Sequence, residues 1–192
     1  MEDWIKEKLI EEIGSKRFSH SIGVMETAVE LAKLYQVDSN KAMIAGLLHD
    51  CAKIRDPIYL LKRANDFDII LDDIMKKNNE LIHGPLGSRI AEYEYMIKDR
   101  EILDAIYYHT TGREKMSMLD KIIYIADFIE PSRNYPRVDE IRKLAFKDLD
   151  KSILLSMENT LIYLINQGRV IHIDTIRARN YMLSIEKSEA NV

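Results

Sequence analysis

Apolar residues recur every three or four positions along nearly the whole chain, and this spacing narrows the available folds more than any other feature. A period near 3.6 lines up side chains on one side of an α-helix, whereas strands require alternation. Ile5, Leu9 and Ile13 form one stripe, closed by Gly14; Phe18, Ile22, Met25, Val29 and Ala32 form the next, ending before Val37. Asp38 or Ser39 caps a third helix over Lys41 to His49. Asp56 and Pro57 open a short helix to Ala64, and the polar run from Asn65 to Glu80 contains another. Pro85 opens a helix through Met96, Asp99 one ending near His109, and Ser117 one ending before Pro131. Ser132 to Pro136 reads as a loop. Asp139 to Phe146 and Asp148 to Gln167 are helical, Gly168 stops the latter, and Asp174 caps a terminal helix through Glu186. Arg169 to Ile173 alone hints at a strand, and one strand makes no sheet. The expectation is an all-α, multi-helix bundle forming a single domain over residues 1–192.

Composition removes several function classes. With 28 Lys and Arg against 32 Asp and Glu, the formal net charge is -4. A general nucleic-acid surface needs clustered cations and is not expected. The longest apolar stretch, Ala42 to Leu48, is far short of the roughly 20 residues that span a membrane. The charged N-terminus lacks a signal-peptide core, so a cytoplasmic protein is expected. The lone Cys51 excludes an intramolecular disulfide and reads as buried and inert. An exposed apolar helix face is compatible with a homodimer.

The segment Ala45-Gly46-Leu47-Leu48-His49-Asp50-Cys51-Ala52-Lys53 carries the strongest chemical signal. Burying adjacent imidazole and carboxylate groups without partners is costly. Successive helical residues point about 100° apart, so His49 and Asp50 share an ion only if it lies over the helix end. Asp50 has two oxygens and can bridge two ions. The bland alternative is a helix C-terminus where His49 and Lys53 complement the dipole.

The order His20, His49-Asp50, His83, His109, Asp127 resembles the HD superfamily of metal-dependent phosphohydrolases. Arg17 to Val24, His49 to Lys53, His83-Gly84-Pro85, Tyr108 to Gly112 and Ala126 to Arg133 look like its YqeK branch, the symmetrical diadenosine tetraphosphate hydrolases. The late segment Gly168 to Asn180 does too, although Ile173 stands where a proline is expected after His172.

This resemblance implies an HD-type bundle with a buried metal centre of one or two divalent ions. His20, His49, Asp50 and Asp127 would hold one ion; His83 and His109 would hold a second or contact phosphate directly. Iron is the metal it implies, while manganese, cobalt or zinc suit the same donors. The implied reaction is hydrolysis of diadenosine tetraphosphate to two ADP, a metal-bound hydroxide attacking an inner phosphate. Asp50 and Lys53 are the catalytic candidates. Arg17, Lys53, His83, His109, Thr110, Arg133, His172 and Arg177 are the substrate-binding candidates.

Asp120, one heptad before Asp127, is a candidate partner for a ligand or else a first-turn carboxylate. Tyr107, Tyr108 and Phe128 are stacking candidates, or core. The partner is thus a small nucleotide needing an ADP-sized pocket beside the metals. The competing readings are another HD nucleotide phosphohydrolase, a metal-dependent nucleotide sensor without turnover, and an oxygen-activating di-iron enzyme of the same fold.

Overall fold

The computed structural model describes residues 3–54 and 56–189. The described residues form α1 (Asp3–Ile13), α2 (Ser15–Leu34), α3 (Ser39–Leu48), α4 (Pro57–Asp66) and α5 (Asp73–Lys77). A 3-10 turn (Asn79–Ile82) leads into α6 (His83–Tyr93). Then come α7 (Arg100–Tyr108), α8 (Met118–Ile129), α9 (Val138–Ala145), α10 (Leu149–Asn166) and α11 (Ile173–Glu189). No strand occurs among the described residues, as the spacing predicted.

The helix starts have a common chemical cause. Asp38, Asp56, Asp72, Asp99, Ser117 and Asp148 each accept a backbone N–H of the following first turn. Such caps satisfy donors that have no partner inside the helix.

Several expectations need correction. Helix α6 begins at His83, and Pro85 sits within its first turn, where a missing N–H costs nothing. Arg169 to His172 is irregular rather than a strand. Asp174 lies inside α11; His172 caps it, its Nδ1 accepting the Asp174 N–H at 3.2 Å. For Asp120 the structure decides between the two readings in favour of the first-turn carboxylate. Its carboxylate accepts the Ser117 N–H at 2.9 Å and pairs with Arg113 at 2.7 Å, closing a capping box on α8.

Helix α2 packs on α3 and α8, and α7 on α3, α6 and α8; α10 lies against α8, α9 and α11. Their inward faces, from Leu31, Leu47, Ile106, Ile122 and Met157 among others, make one contiguous apolar core. Gly84 permits the tight approach of α6 to α7: a Cβ there would lie 2.5 Å from the Tyr107 carbonyl oxygen. That approach brings His83, the preceding residue, against His109.

Candidate metal centre

Five helices deliver the polar cluster. His20 projects from the middle of α2 and Asp127 from α8, while His49 and His109 are the C-caps of α3 and α7 and His83 opens α6. Three of these imidazoles are fixed by one device. Nδ1–H of His49 donates to Gly46 O at 2.7 Å, that of His109 to Ile106 O at 2.7 Å, and that of His83 to Glu80 O. Each acceptor is the carbonyl three residues earlier, and at the ends of α3 and α7 such carbonyls lack a helical partner. His20 differs: its Nδ1–H donates to Glu130 Oε1 at 3.0 Å. A carbonyl or carboxylate only accepts, so all four rings carry a proton on Nδ1 and turn Nε2 inward, where it is a bare donor atom for an ion whenever the ring is neutral.

Asp50 divides these nitrogens into two pairs. Its Oδ2 lies 3.5 Å from His49 Nε2 and 3.8 Å from His20 Nε2; its Oδ1 lies 3.2 Å from His83 Nε2 and 3.7 Å from His109 Nε2. Asp127 Oδ1 adds to the first pair, 3.0 Å from His20 and 3.8 Å from His49. All the members are buried except Asp127, whose side chain is 24% exposed.

The arrangement fits divalent cations on chemical grounds. His83 and His109 bring their Nε2 atoms within 3.0 Å of each other, so in the neutral Nδ1–H rings two lone pairs converge where a cation beside them would be bound by both. His49 Nε2 is buried and has no hydrogen-bond partner. Within this cluster three triads of donors each converge within 4.8 Å: His20, His49 and Asp50; His49, His109 and Asp127; Asp50, His83 and His109.

Charge follows the geometry. Burial favours neutral Asp50, but His49 and the facing rings His109 and His83 outweigh it and hold the acid well below its usual range. Asp127 is held low in the same way, its burial overcome by His20, His49 and Arg133. Burial, helped by Lys53, pushes His83 down from 6.5 to about 4 despite Asp50.

His83 makes stability depend on pH. Between 6.5 and about 4 the unfolded chain binds a proton at this site and the folded chain does not, so stability falls as pH falls through that window. The loss is complete near pH 4 and amounts to about 3 kcal/mol, at roughly 1.4 kcal/mol per pH unit. Urea unfolding of chelator-treated protein between pH 7 and 4 measures it. The difference between wild type and His83→Asn should narrow by that amount on acidification, and a pH-independent difference would refute the assignment.

The basic side chains surround the cluster. Arg17 reaches Asp50 Oδ2 at 2.9 Å. Arg133 pairs with Asp127 Oδ1 and comes within 3.4 Å of His20 Nε2. Lys53 Nζ lies 2.8 Å from Glu80 and 3.3 Å from His83 Nδ1. Thr110 Oγ1 is 3.2 Å from both His83 Nε2 and His109 Nε2.

Two expected substrate residues stand apart from these. His172 bonds Asp72 at 2.8 Å and lines a small cleft that also contains Thr110. Arg177 is 61% exposed on α11 and pairs with Asp174 at 3.5 Å, away from the ligands. Tyr108 lies under the Arg113 guanidinium at 4.6 Å, and Tyr107 borders the small cleft.

Sequence reasoning missed Glu130. Although the residue lies in a quoted motif, its position after α8 and before Pro131 suggests only a cap; its 2% exposure and its bonds to His20 and Ser132 appear only in three dimensions. It named Phe128 but missed Tyr135, Tyr163, Asn159 and Asn166 in the walls of a cavity of about 790 Å³ that starts at His109, Thr110, Asp127 and Arg133. Phe128, Tyr135 and Tyr163 supply its aromatic surface, and Asn159 and Asn166 its amides.

Known proteins share this pattern. The model of the HD domain family matches residues 17–132. The symmetrical bis(5'-nucleosyl)-tetraphosphatase of Bacillus subtilis is 41% identical over 94% of this chain and 94% of its own length. That of Staphylococcus aureus is 41% identical over 92% of this chain and 89% of its own. A crystal structure from Clostridium acetobutylicum, described as a predicted HD superfamily hydrolase involved in NAD metabolism, superimposes with a TM-score of 0.91. It is 46% identical and covers 95% of this chain and 96% of its own.

Proposed function

This chain belongs to the HD domain family, and we propose that it hydrolyses diadenosine tetraphosphate at its central anhydride to give two ADP. The observation that carries the reading is Asp50, whose two oxygens each face a separate pair of bare imidazole nitrogens. His20, His49, Asp50 and Asp127 would hold one divalent ion, and Asp50, His83 and His109 a second. The mixed imidazole and carboxylate donors suit iron, which we favour, and also manganese, cobalt or zinc. Bound ions would lower the pKa of a water molecule and offset charge on phosphate oxygens.

The protein side chains do the remaining work. Arg17 and Arg133, beside Asp50 and Asp127, are placed to grip phosphate oxygens with paired N–H donors. Lys53 offsets charge on the departing half from the His83 side. Thr110 offers a hydroxyl at the edge of the second pair. Water adds to one inner phosphorus, the central bridging oxygen leaves with the other half, and each half departs as ADP. The 790 Å³ cavity receives a nucleoside end, with Phe128, Tyr135 and Tyr163 as stacking surfaces. His172 borders the phosphate path through the cleft it shares with Thr110.

The names of the full-length relatives support this choice over other nucleotides. No described helix is long and apolar enough to cross a membrane, and the buried lone Cys51 suits a reducing compartment such as the cytoplasm.

Chromatography of the products formed by anaerobically purified, iron-loaded protein tests the reading. ADP as sole product is expected. ATP plus AMP would mean asymmetric cleavage and overturn it, and absence of turnover would favour a binding role.

A further inference from the structure

Central cleavage makes a further demand on the protein, and a second nucleotide cleft rests on that reading of the reaction. A substrate cut at its midpoint has two equal ends leading away from the metal ligands, each a nucleoside with two phosphates. The 790 Å³ cavity accounts for one of them. We propose that the other nucleoside diphosphate half occupies a separate cleft of about 670 Å³, between the α1–α2 turn, the segment after α3, and α4.

The two cavities have no lining residue in common. The larger touches Asp127 and His109. The smaller is lined by Ser15, Lys16, Lys53, Ile54, Tyr59 and Arg63, and it approaches the cluster from the Asp50 and His83 side. Two observations define that approach. Lys53, in its wall, comes within 3.3 Å of His83 Nδ1, and Arg17, next in sequence to Lys16, reaches Asp50 at 2.9 Å.

The lining chemistry matches a nucleotide half. Lys16 and Lys53 supply positive charge for two phosphates. Tyr59 is 45% exposed, and Arg63 steadies it: NH1 donates to the Tyr59 hydroxyl at 3.2 Å while the guanidinium is held by Glu94. A ring fixed in this way is a stacking platform that loses little freedom on binding. Glu11 and Glu12 also line the cleft; they would repel phosphates but accept hydrogen bonds from ribose hydroxyls. A phosphate-inward, ribose-outward orientation reconciles the two signs of charge.

The test is calorimetric titration of the metal-loaded protein with ADP, and with diadenosine tetraphosphate carrying a methylene in place of its central bridging oxygen. Wild type should take two ADP per chain. The double variant Lys16→Ala, Tyr59→Ala should take one and bind the methylene analogue about tenfold more weakly, since stacking on an aromatic ring commonly contributes that much. Lys16→Ala, Tyr59→Phe, which keeps the ring, should recover the stacking part of the affinity and excludes a folding defect.

One ADP per chain in wild type, or analogue binding unchanged in the double variant, would overturn the second cleft while leaving the central cleavage reading intact. Failure of wild type to form ADP from diadenosine tetraphosphate would overturn that reading and this proposal with it.

Discussion

Replacing Asp50 with alanine is expected to strip the protein of its metal and to lower kcat/KM for diadenosine tetraphosphate by about a thousandfold or more, roughly 4 kcal/mol of barrier. The size follows from the residue's double duty. Its oxygens are the only carboxylate atoms placed against His83 and His109 among the described ion pairs, and one of them also faces His20 and His49. Removing them therefore breaks both donor sets at once. Asp127→Ala removes a donor from the first set alone and should retain part of the metal. The fold itself should survive, because Asp50 lies in a turn after α3 rather than in the apolar core. Metal analysis by mass spectrometry, alongside product formation and circular dichroism, separates these effects. An Asp50→Ala protein with normal metal content and turnover would show the assignment to be wrong.

The second large effect is expected at Glu130, which touches no proposed metal position. Its carboxylate accepts from His20 Nδ1, from the Ser132 N–H at 2.7 Å and from the Ser132 hydroxyl. Glu130→Ala leaves the buried His20 Nδ1–H without an acceptor, while the donors of exposed Ser132 can turn to water, and it frees the His20 ring to rotate or change tautomer. Metal affinity should drop about 10- to 100-fold, the usual range for partners that orient a ligand. Stability should fall by about 1–3 kcal/mol from the one unsatisfied buried donor, His20 Nδ1–H. Gly23→Ala offers an independent approach, since a Cβ at that position would lie 2.7 Å from Glu130 Oε2 and displace it. It should reproduce the metal defect in weaker form. Competition with a chromogenic chelator reads both variants; affinities within twofold of wild type would mean that His20 is oriented by something other than Glu130.

Much of the architecture is legible in the chain because its causes are local. Helix periods, the acidic and serine caps, and the stop at Gly168 all depend on residues within a few positions of one another. The corrections concern local competitions as well. A first turn tolerates proline at several positions, so Pro85 does not mark the first residue of α6, and His172 rather than Asp174 caps α11. Asp120 shows the limit of periodicity. Heptad spacing puts it on a face near that of Asp127, but a neighbouring Ser117 and Arg113 claim its carboxylate.

The metal-ligand candidates can be named from the chain because their residue types and order are distinctive, even though no spacing rule brings His20 to Asp127. What the sequence by itself determined is the set of helices, most of their starts and stops, and the six ligand candidates. The grouping of those six was an expectation from the resemblance; which Asp50 oxygen faces which pair was decided only by packing α2, α3, α6, α7 and α8 together. So were the Glu130 hold on His20 and the two cavities with separate linings. The physical reason is range. Periodicity and capping act over one helical turn, whereas a shared carboxylate or a cavity wall joins residues far apart along the chain, His20 and Glu130 being 110 positions apart, and exists only after the apolar faces have closed on one another.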